Sequence, residues 1–262
     1  TPPGGGSSPP PVFGASKDGG DIVSFSAAGA QIDATEAGGT WTFTSGTSTA
    51  TVTGTVAGYV VPASTTLSIS SVLASGKVFS GTGTGLVVAN TAGENLTAFN
   101  ATGVDGFQLA TGQNYTLTAA QAAIGRIGAA GAAGSLTDAG TITVRDTLAA
   151  LGNGVAATLK TNGADSVIAS TTAGADISAI TVAGIDSIVL VAGIYTMTAA
   201  QAALADATNG TQAVTLTTQA SGTLTATVES FALGNFANTV TLGAGTQGVT
   251  SPGGTATSLT IG

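Results

Sequence analysis

Aspartate in short glycine turns is the residue type in this chain best suited to chemistry. The 262 residues include no His and no Cys, so the commonest general base, the commonest transition-metal ligand and every thiolate are absent. What remains are hard oxygens, from 13 Asp and Glu against 5 Lys and Arg. Calcium takes about six to eight such oxygens, drawn from carboxylates and turn carbonyls. Asp21, in Gly19-Gly20-Asp21-Ile22-Val23, fits the Gly-x-Asp-x-aliphatic core of a calcium-loop nonapeptide, and so does Asp165, in Gly163-Ala164-Asp165-Ser166-Val167. Both are isolated half-motifs. Asp105 and Asp186 hold matching places in an internal repeat, in GVDGF and GIDSI. Asp21, Asp105, Asp165 and Asp186 are therefore the candidate calcium ligands. The competing expectation for each is an Asx-type turn, in which the carboxylate bonds its own backbone.

Other chemistry fares worse. A Ser-His-Asp or Cys-His pair is impossible here, and no Walker-type phosphate loop is present. A polysaccharide-active enzyme would need Asp clustered with Arg or Lys in a groove, and Arg126, Arg145 and Lys160 are the only cations in the repeat region. Thr-x-Thr pairs recur, at Thr42/Thr44, Thr141/Thr143 and Thr223/Thr225 among others. An ice-binding face could use such pairs, but they show no fixed spacing along the sequence and are read as β propensity on a solvated face.

The elements that must position these residues are mostly strands. From Asp21 to Val88, segments such as IVSFSA, GTWTFTSG and TTLSISSVL alternate apolar with small polar residues, with Phe25, Trp41 and Phe43 expected in a core. Thr91–Ile124 then aligns with Thr172–Leu204. Leu96 matches Ile177, Phe99 matches Ile180, Asp105 matches Asp186, and Tyr115-Thr-Leu-Thr-Ala-Ala-Gln matches Tyr195-Thr-Met-Thr-Ala-Ala-Gln. Each copy reads as short strands followed by a helical turn, with Thr118 and Thr198 as N-caps and Gln121 and Gln201 closing a capping box. A further helical turn is expected at Asp146–Leu151, and VAATLKT (Val155–Thr161) reads as a strand. Short strands and an internal repeat predict an all-β fold with a few short helical turns, a β-solenoid more readily than a β-sandwich. Residues 1–20 read as a Pro/Gly/Ser-rich linker or tether, 21–90 as an N-terminal β region and 91–262 as a repeat-containing β region.

Composition supports a folded, weakly charged chain. Charged residues are 7% of the total, against roughly 25% in an ordinary domain. Hydrophobic residues are 43% and mean hydropathy is +0.44, which argues against disorder. A net charge of −8 with five scattered cations excludes nucleic acid as a partner and disfavours anionic lipid surfaces. Thr1 in place of Met implies a processed form or a piece of a longer chain. The most apolar stretch, Ile177–Met197, holds Asp186 and two glycines and does not suit a transmembrane helix.

At YTLTAAQA, YTMTAAQA and Ser135–Leu151 the chain resembles repeats of large secreted bacterial surface proteins of the S-layer and RTX-adhesin-like kind. The resemblance covers roughly Thr91 to Thr208. It implies export to the bacterial cell surface, a structural or lattice-forming role and calcium as a stabilising cofactor, although the tandem GGxGxDxUx array of that family is missing. The leading expectation is a non-enzymatic, self-assembling subunit of an S-layer or filament, with copies of itself as partner and a cell-surface glycan or lipid anchor as a further one. Its rivals are an adhesin or glycan-binding module, for which 5% aromatics is sparse, and a β-solenoid polysaccharide-active enzyme.

Overall fold

Strands that alternate apolar with small polar residues bury one face only when they ladder with a neighbour. A computed structural model of the chain describes residues 12–15, 22–25, 31–34, 40–43, 46–52, 58–61, 65–89, 93–128, 131–137, 139–207, 212–219, 221–224, 230–234, 236, 238–242, 248–250 and 258–261, with side-chain surroundings for most of these from residue 58 onward. The linker expected at Thr1–Pro11 lies outside the described residues, as do the side chains of Phe25, Trp41 and Phe43. The chain divides into two compact units. One is Thr1–Gln113 with Ile124–Ser135, and the other is Asn114–Ala123 with Leu136–Gly262.

In the first unit β1 (Val12–Ala15), β3 (Gln31–Ala34), β5 (Gly46–Val52), β7 (Thr65–Ser70), β9 (Thr84–Val88), β10 (Gly106–Leu109) and β12 (Gly125–Ile127) form one sheet in that order. A second sheet holds β2 (Ile22–Phe25), β4 (Thr40–Phe43), β6 (Gly58–Val61) and β8 (Val78–Gly81). Consecutive strands up to β9 therefore go to alternate sheets. Val12 pairs with Gln31 and Gln31 with Thr49, so the chain returns to the same sheet at nearly equal intervals.

The described residues of the second unit form three sheets. The first is β11 (Tyr115–Leu117), β13 (Ile142–Thr147), β14 (Ser166–Ser170), β15 (Ser187–Leu190) and β17 (Ala205–Ala207). The second is β16 (Ile194–Met197), β18 (Ala213–Leu216), β20 (Ser230–Ala232) and β22 (Gly248–Thr250). The third is β19 (Ser221–Leu224), β21 (Thr239–Leu242) and β23 (Ser258–Ile261). From β18 onward strands again alternate between two sheets. Every strand pair among the described residues is parallel. The protein is thus β-rich, with parallel sheets and few helices, and the antiparallel pairing of a β-sandwich has no counterpart in the described residues.

Register aligns the apolar positions into columns. Leu117 pairs with Val144 and Val144 with Val167, all fully buried. Ala169, Ile188 and Ala205 form the next column. Buried side chains of Leu, Ile or Val size contribute about 1.5–3 kcal/mol each, so the columns are the main stabilising feature.

Among the described residues five short helices interrupt the ladders: α1 (Ser71–Ala74), α2 (Ala119–Ile124), α3 (Leu148–Leu151), α4 (Val155–Thr161) and α5 (Ala199–Ala202). The predicted capping boxes form. The Gln121 and Gln201 amides donate to Thr118 and Thr198 Oγ1 at 3.2 and 3.3 Å, and the Thr118 and Thr198 N–H groups donate to the glutamine Oε1 atoms at 2.8 and 2.7 Å. The helical turn expected at Asp146–Leu151 forms as α3, capped by Thr147, whose side chain accepts from the Ala150 N–H. VAATLKT is helix α4 and not a strand. Its apolar residues face the core at helical spacing, with Ala156 and Leu159 buried and Lys160 in the last turn. The end of TTLSISSVL likewise turns into α1. Among the described residues 93–104 the expected short strands reduce to isolated contacts such as Val78 with Thr102. Among the described residues no helix is long and apolar enough to cross a membrane.

Candidate functional site

A carboxylate at the start of a parallel strand can act as one more rung acceptor. Asp105, Asp165 and Asp186 stand immediately before β10, β14 and β15 respectively. Each makes the same pair of bonds with a residue of the preceding ladder strand. Asp105 N–H donates to Gly85 O at 2.9 Å, and Gly85 N–H donates to Asp105 Oδ2 at 2.7 Å. Asp165 repeats this with Ile142, at 2.9 and 2.7 Å, and Asp186 with Val167, at 2.9 and 2.6 Å. The carboxylate satisfies an N–H that would otherwise lie unpaired where the ladder begins. The expected alternative to calcium is a bond to the Asp's own backbone. The observed partners instead lie one ladder strand upstream.

Lys160 joins two of these positions. From α4 its Nζ donates to Asp165 O at 2.7 Å and to Asp186 Oδ2 at 3.1 Å. The ammonium takes the position between a carbonyl and a carboxylate that a small cation would take. Among the described residues no three acidic side chains gather into a cluster, and Asp21 lies outside them. The structure brings Asp165 and Asp186 together through Lys160 and leaves Asp105 on its own ladder in the first unit.

A second feature was not visible as a site in the sequence. Each unit holds a shallow cleft, and the two clefts use matching repeat residues. In the first unit a cleft of about 260 Å³ lies between α1 and the turn carrying Glu94, Asn95, Leu96 and Phe99. In the second a cleft of about 250 Å³ lies between Thr147–Ala149 and the turn carrying Asp176, Ile177 and Ile180, with Ser170, Thr171 and Thr172 along one side. Asn95 Oδ1 accepts from the N–H and hydroxyl of Thr97, at 3.1 and 2.8 Å. Asp176 Oδ1 accepts from the N–H and hydroxyl of Ser178, at 3.0 and 2.7 Å. The Ser178 N–H, and then its hydroxyl, hold the Asp176 carboxyl below its ordinary range. Glu94 accepts from the Ser71 hydroxyl at 2.5 Å, while its match in the second copy is Ala175. In the first cleft the Glu94 carboxylate is engaged by the Ser71 hydroxyl, and in the second the Asp176 carboxylate is engaged by Ser178. Both clefts are floored by a buried aliphatic, Leu96 or Ile177.

Buried amides hold the turns of the second unit. Gln201 Nε2 donates to Ile177 O and Ile180 O, both at 2.6 Å. Gln212 Nε2 donates to Leu190 O and Val191 O at 3.2 and 3.0 Å. In the first unit burial pushes the Tyr59 phenol well above its ordinary value, and its hydroxyl donates to Leu73 O at 3.2 Å. These groups hold backbone carbonyls and are not aimed at a ligand. The Thr pairs, expected to keep no fixed spacing, prove to share register in places: Thr223, Thr241 and Thr260 are successive ladder partners. These partners recur at the near-constant interval of the ladder, which the Thr-x-Thr pairs taken together do not keep. The chain matches no family model, no curated protein and no solved structure.

Proposed function

We propose that this chain is a non-enzymatic structural protein of the bacterial cell surface: a β-solenoid that assembles with copies of itself into an S-layer or filament. The observation that carries the reading is the interval between ladder partners. Ile22 pairs with Thr40 and Thr40 with Gly58 in the first unit, an identical interval each time. Ser221 pairs with Thr239 and Thr239 with Ser258 in the second, at nearly the same spacing. A near-constant interval, parallel pairing and strands that alternate between sheets are what a coil of stacked rungs requires. Polar side chains near the ladders are engaged in closing backbone bonds, which is a structural use. Low charge suits close packing of subunits, since few like charges meet. An extracellular position is supported by the resemblance of the repeats.

Calcium, the cofactor the resemblance implies, would have to compete at the ladder-start aspartates with the backbone N–H groups they accept and, at Asp165 and Asp186, with the Lys160 ammonium. Negative-stain electron microscopy of the purified chain, with calcium and then with a chelator, tests both parts. Ordered sheets or fibres are expected. Their loss on chelation would assign the aspartates to calcium, and persistence would leave them as backbone acceptors only. Monodisperse monomers under all ionic conditions would refute the assembly reading.

A further inference from the structure

The turn beside the first cleft carries a triplet with a chemistry of its own. Asn95-Leu96-Thr97 is an Asn-x-Thr sequence, the acceptor pattern for an N-linked sugar. Four such triplets occur, at Asn95, Asn100, Asn114 and Asn209, and Thr is common enough here for several to arise by chance. Asn209 lies outside the described residues. The other three differ in what their side chains do.

Of these three, Asn95 alone has its carboxamide bonded to the threonine of its own triplet. Asn95 Oδ1 accepts from the Thr97 N–H and hydroxyl at 3.1 and 2.8 Å. Asn95 is exposed, and its Nδ2 donates to no group among the described residues. Asn114 Oδ1 instead accepts from the Thr141 N–H at 2.7 Å, and Thr116 is held in β11 opposite Thr143. Asn100 Oδ1 accepts from the Ser75 hydroxyl at 3.5 Å, while the Thr102 backbone is bonded to Lys77 and Phe79.

An amide nitrogen is a weak nucleophile because its lone pair is shared with the carbonyl. As it attacks it loses a proton and negative charge gathers on Oδ1, so donors already aimed at that oxygen stabilise the step. The second copy shows that this turn favours negative charge there. Asp176 stands in the matching place and accepts the same two bonds from Ser178, which hold its carboxyl below the ordinary range. The surroundings also suit a sugar. Asn95 lines the cleft of about 260 Å³ together with Phe99 and Val72, and Val72 is 69% exposed, so a first ring has apolar surface to cover.

We propose that Asn95 is an N-glycosylation site, modified by a transferase that uses a sugar carried on a diphosphate. The bond from sugar C1 to the diphosphate oxygen breaks and a bond from C1 to Asn95 Nδ2 forms. The Nδ2 proton passes to a base of the transferase, and the diphosphate leaves with the C–O electron pair. The site does not depend on whether copies of the chain assemble.

The test uses the folded full chain and two transferases, one taking a nucleotide-activated hexose and the other a polyprenyl-diphosphate oligosaccharide. Each is chosen because it labels Asn95, Asn100 and Asn114 alike in a protease digest of the chain. Peptide mapping by mass spectrometry should find the folded chain labelled at Asn95 and not at Asn100 or Asn114, and the transferase that acts identifies the donor. Thr97→Val should abolish the label and Thr97→Ser should keep it. Asp176→Asn with Ser178→Thr should add a label at position 176, because that turn has the same geometry. Circular dichroism establishes that each variant is folded. An unlabelled Asn95 in the folded chain with both transferases overturns the assignment. Equal labelling of all three asparagines, or no gain at position 176, shows that the turn does not select the site and overturns it as well.

Discussion

The two repeat copies hold the same turn by different chemistry. In the first, Asn95 closes an Asx turn onto Thr97 beside Glu94, which takes the Ser71 hydroxyl. In the second, Asp176 closes the same turn onto Ser178, and Ala175 stands where Glu94 does. The floor residues Leu96 and Ile177 are both buried. What the two share is an oxygen in one place and an aliphatic side chain in another; charge is not shared. The copies therefore differ in how they should respond to acid and agree in how they should respond to loss of the floor.

The largest effect should come from the floor. Leu96→Ala and Ile177→Ala should each cost about 2–5 kcal/mol in urea unfolding, because each leaves a cavity under its turn. Closely similar costs would sharpen the equivalence of the copies, and a cost confined to one copy would break it. Next comes the amide beneath the second turn. Gln201→Ala leaves the carbonyls of Ile177 and Ile180 without that partner and should cost about 1–3 kcal/mol. Gln201→Glu should not restore it, since a carboxylate cannot donate.

The ladder-start carboxylates follow. Asp165→Ala and Asp186→Ala should each cost about 1–2 kcal/mol, with faster hydrogen exchange at the Ile142 or Val167 amide. Exchange at those amides unchanged by the substitutions would sink the ladder-start role. Lys160→Met should cost under about 1 kcal/mol, as its pair with Asp186 is partly exposed.

The smallest effect is the one that separates the copies. The Asp176 carboxyl is held below its ordinary value when folded. A lowered carboxyl contributes stability above its unfolded value and loses that contribution as pH falls through the folded one. Acid should therefore loosen the contact between Asp176 and Ser178, whereas the matching contact between Asn95 and Thr97 holds no group that titrates. An NMR titration should show Ser178 amide shifts moving together with the Asp176 carboxyl. Asp176→Asn should abolish that movement while keeping the turn.

Much of the β character was legible because it is local. Period-2 alternation marked most strands, and Thr118-x-x-Gln121 and Thr198-x-x-Gln201 marked two helix starts correctly. VAATLKT misled because Val155, Thr158 and Thr161 favour strands, whereas burial of Ala156 and Leu159 on one face decided for helix. The role of Asp105, Asp165 and Asp186 was illegible for a different reason. The partner of each lies one ladder strand earlier, and which residue that is depends on rung lengths that inserted helices alter. Val144 pairs with Val167 across both α3 and α4, whereas Ile188 pairs with Ala205 over a shorter interval that holds only α5. The clefts were hidden because they combine a repeat turn with a helix from outside the aligned repeat.

That strands pair only with near neighbours in sequence also governs how the protein would yield to force. Within a unit, each strand is coupled to its neighbours in the same sheet, which lie close in sequence, so in the solenoid proposed above order can start at any rung and spread in both directions, and it can be peeled away from an end in the same manner. A chain drawn out from its C-terminus should release length in steps, each of about 60 Å for a rung of about 18 extended residues. The long rung bearing α3 and α4 should give a longer step and, with Lys160 tied to the next rung at Asp186, a later one. Under the solenoid and assembly reading proposed above, a material built from such coils would stretch by shedding loops one at a time rather than by failing all at once.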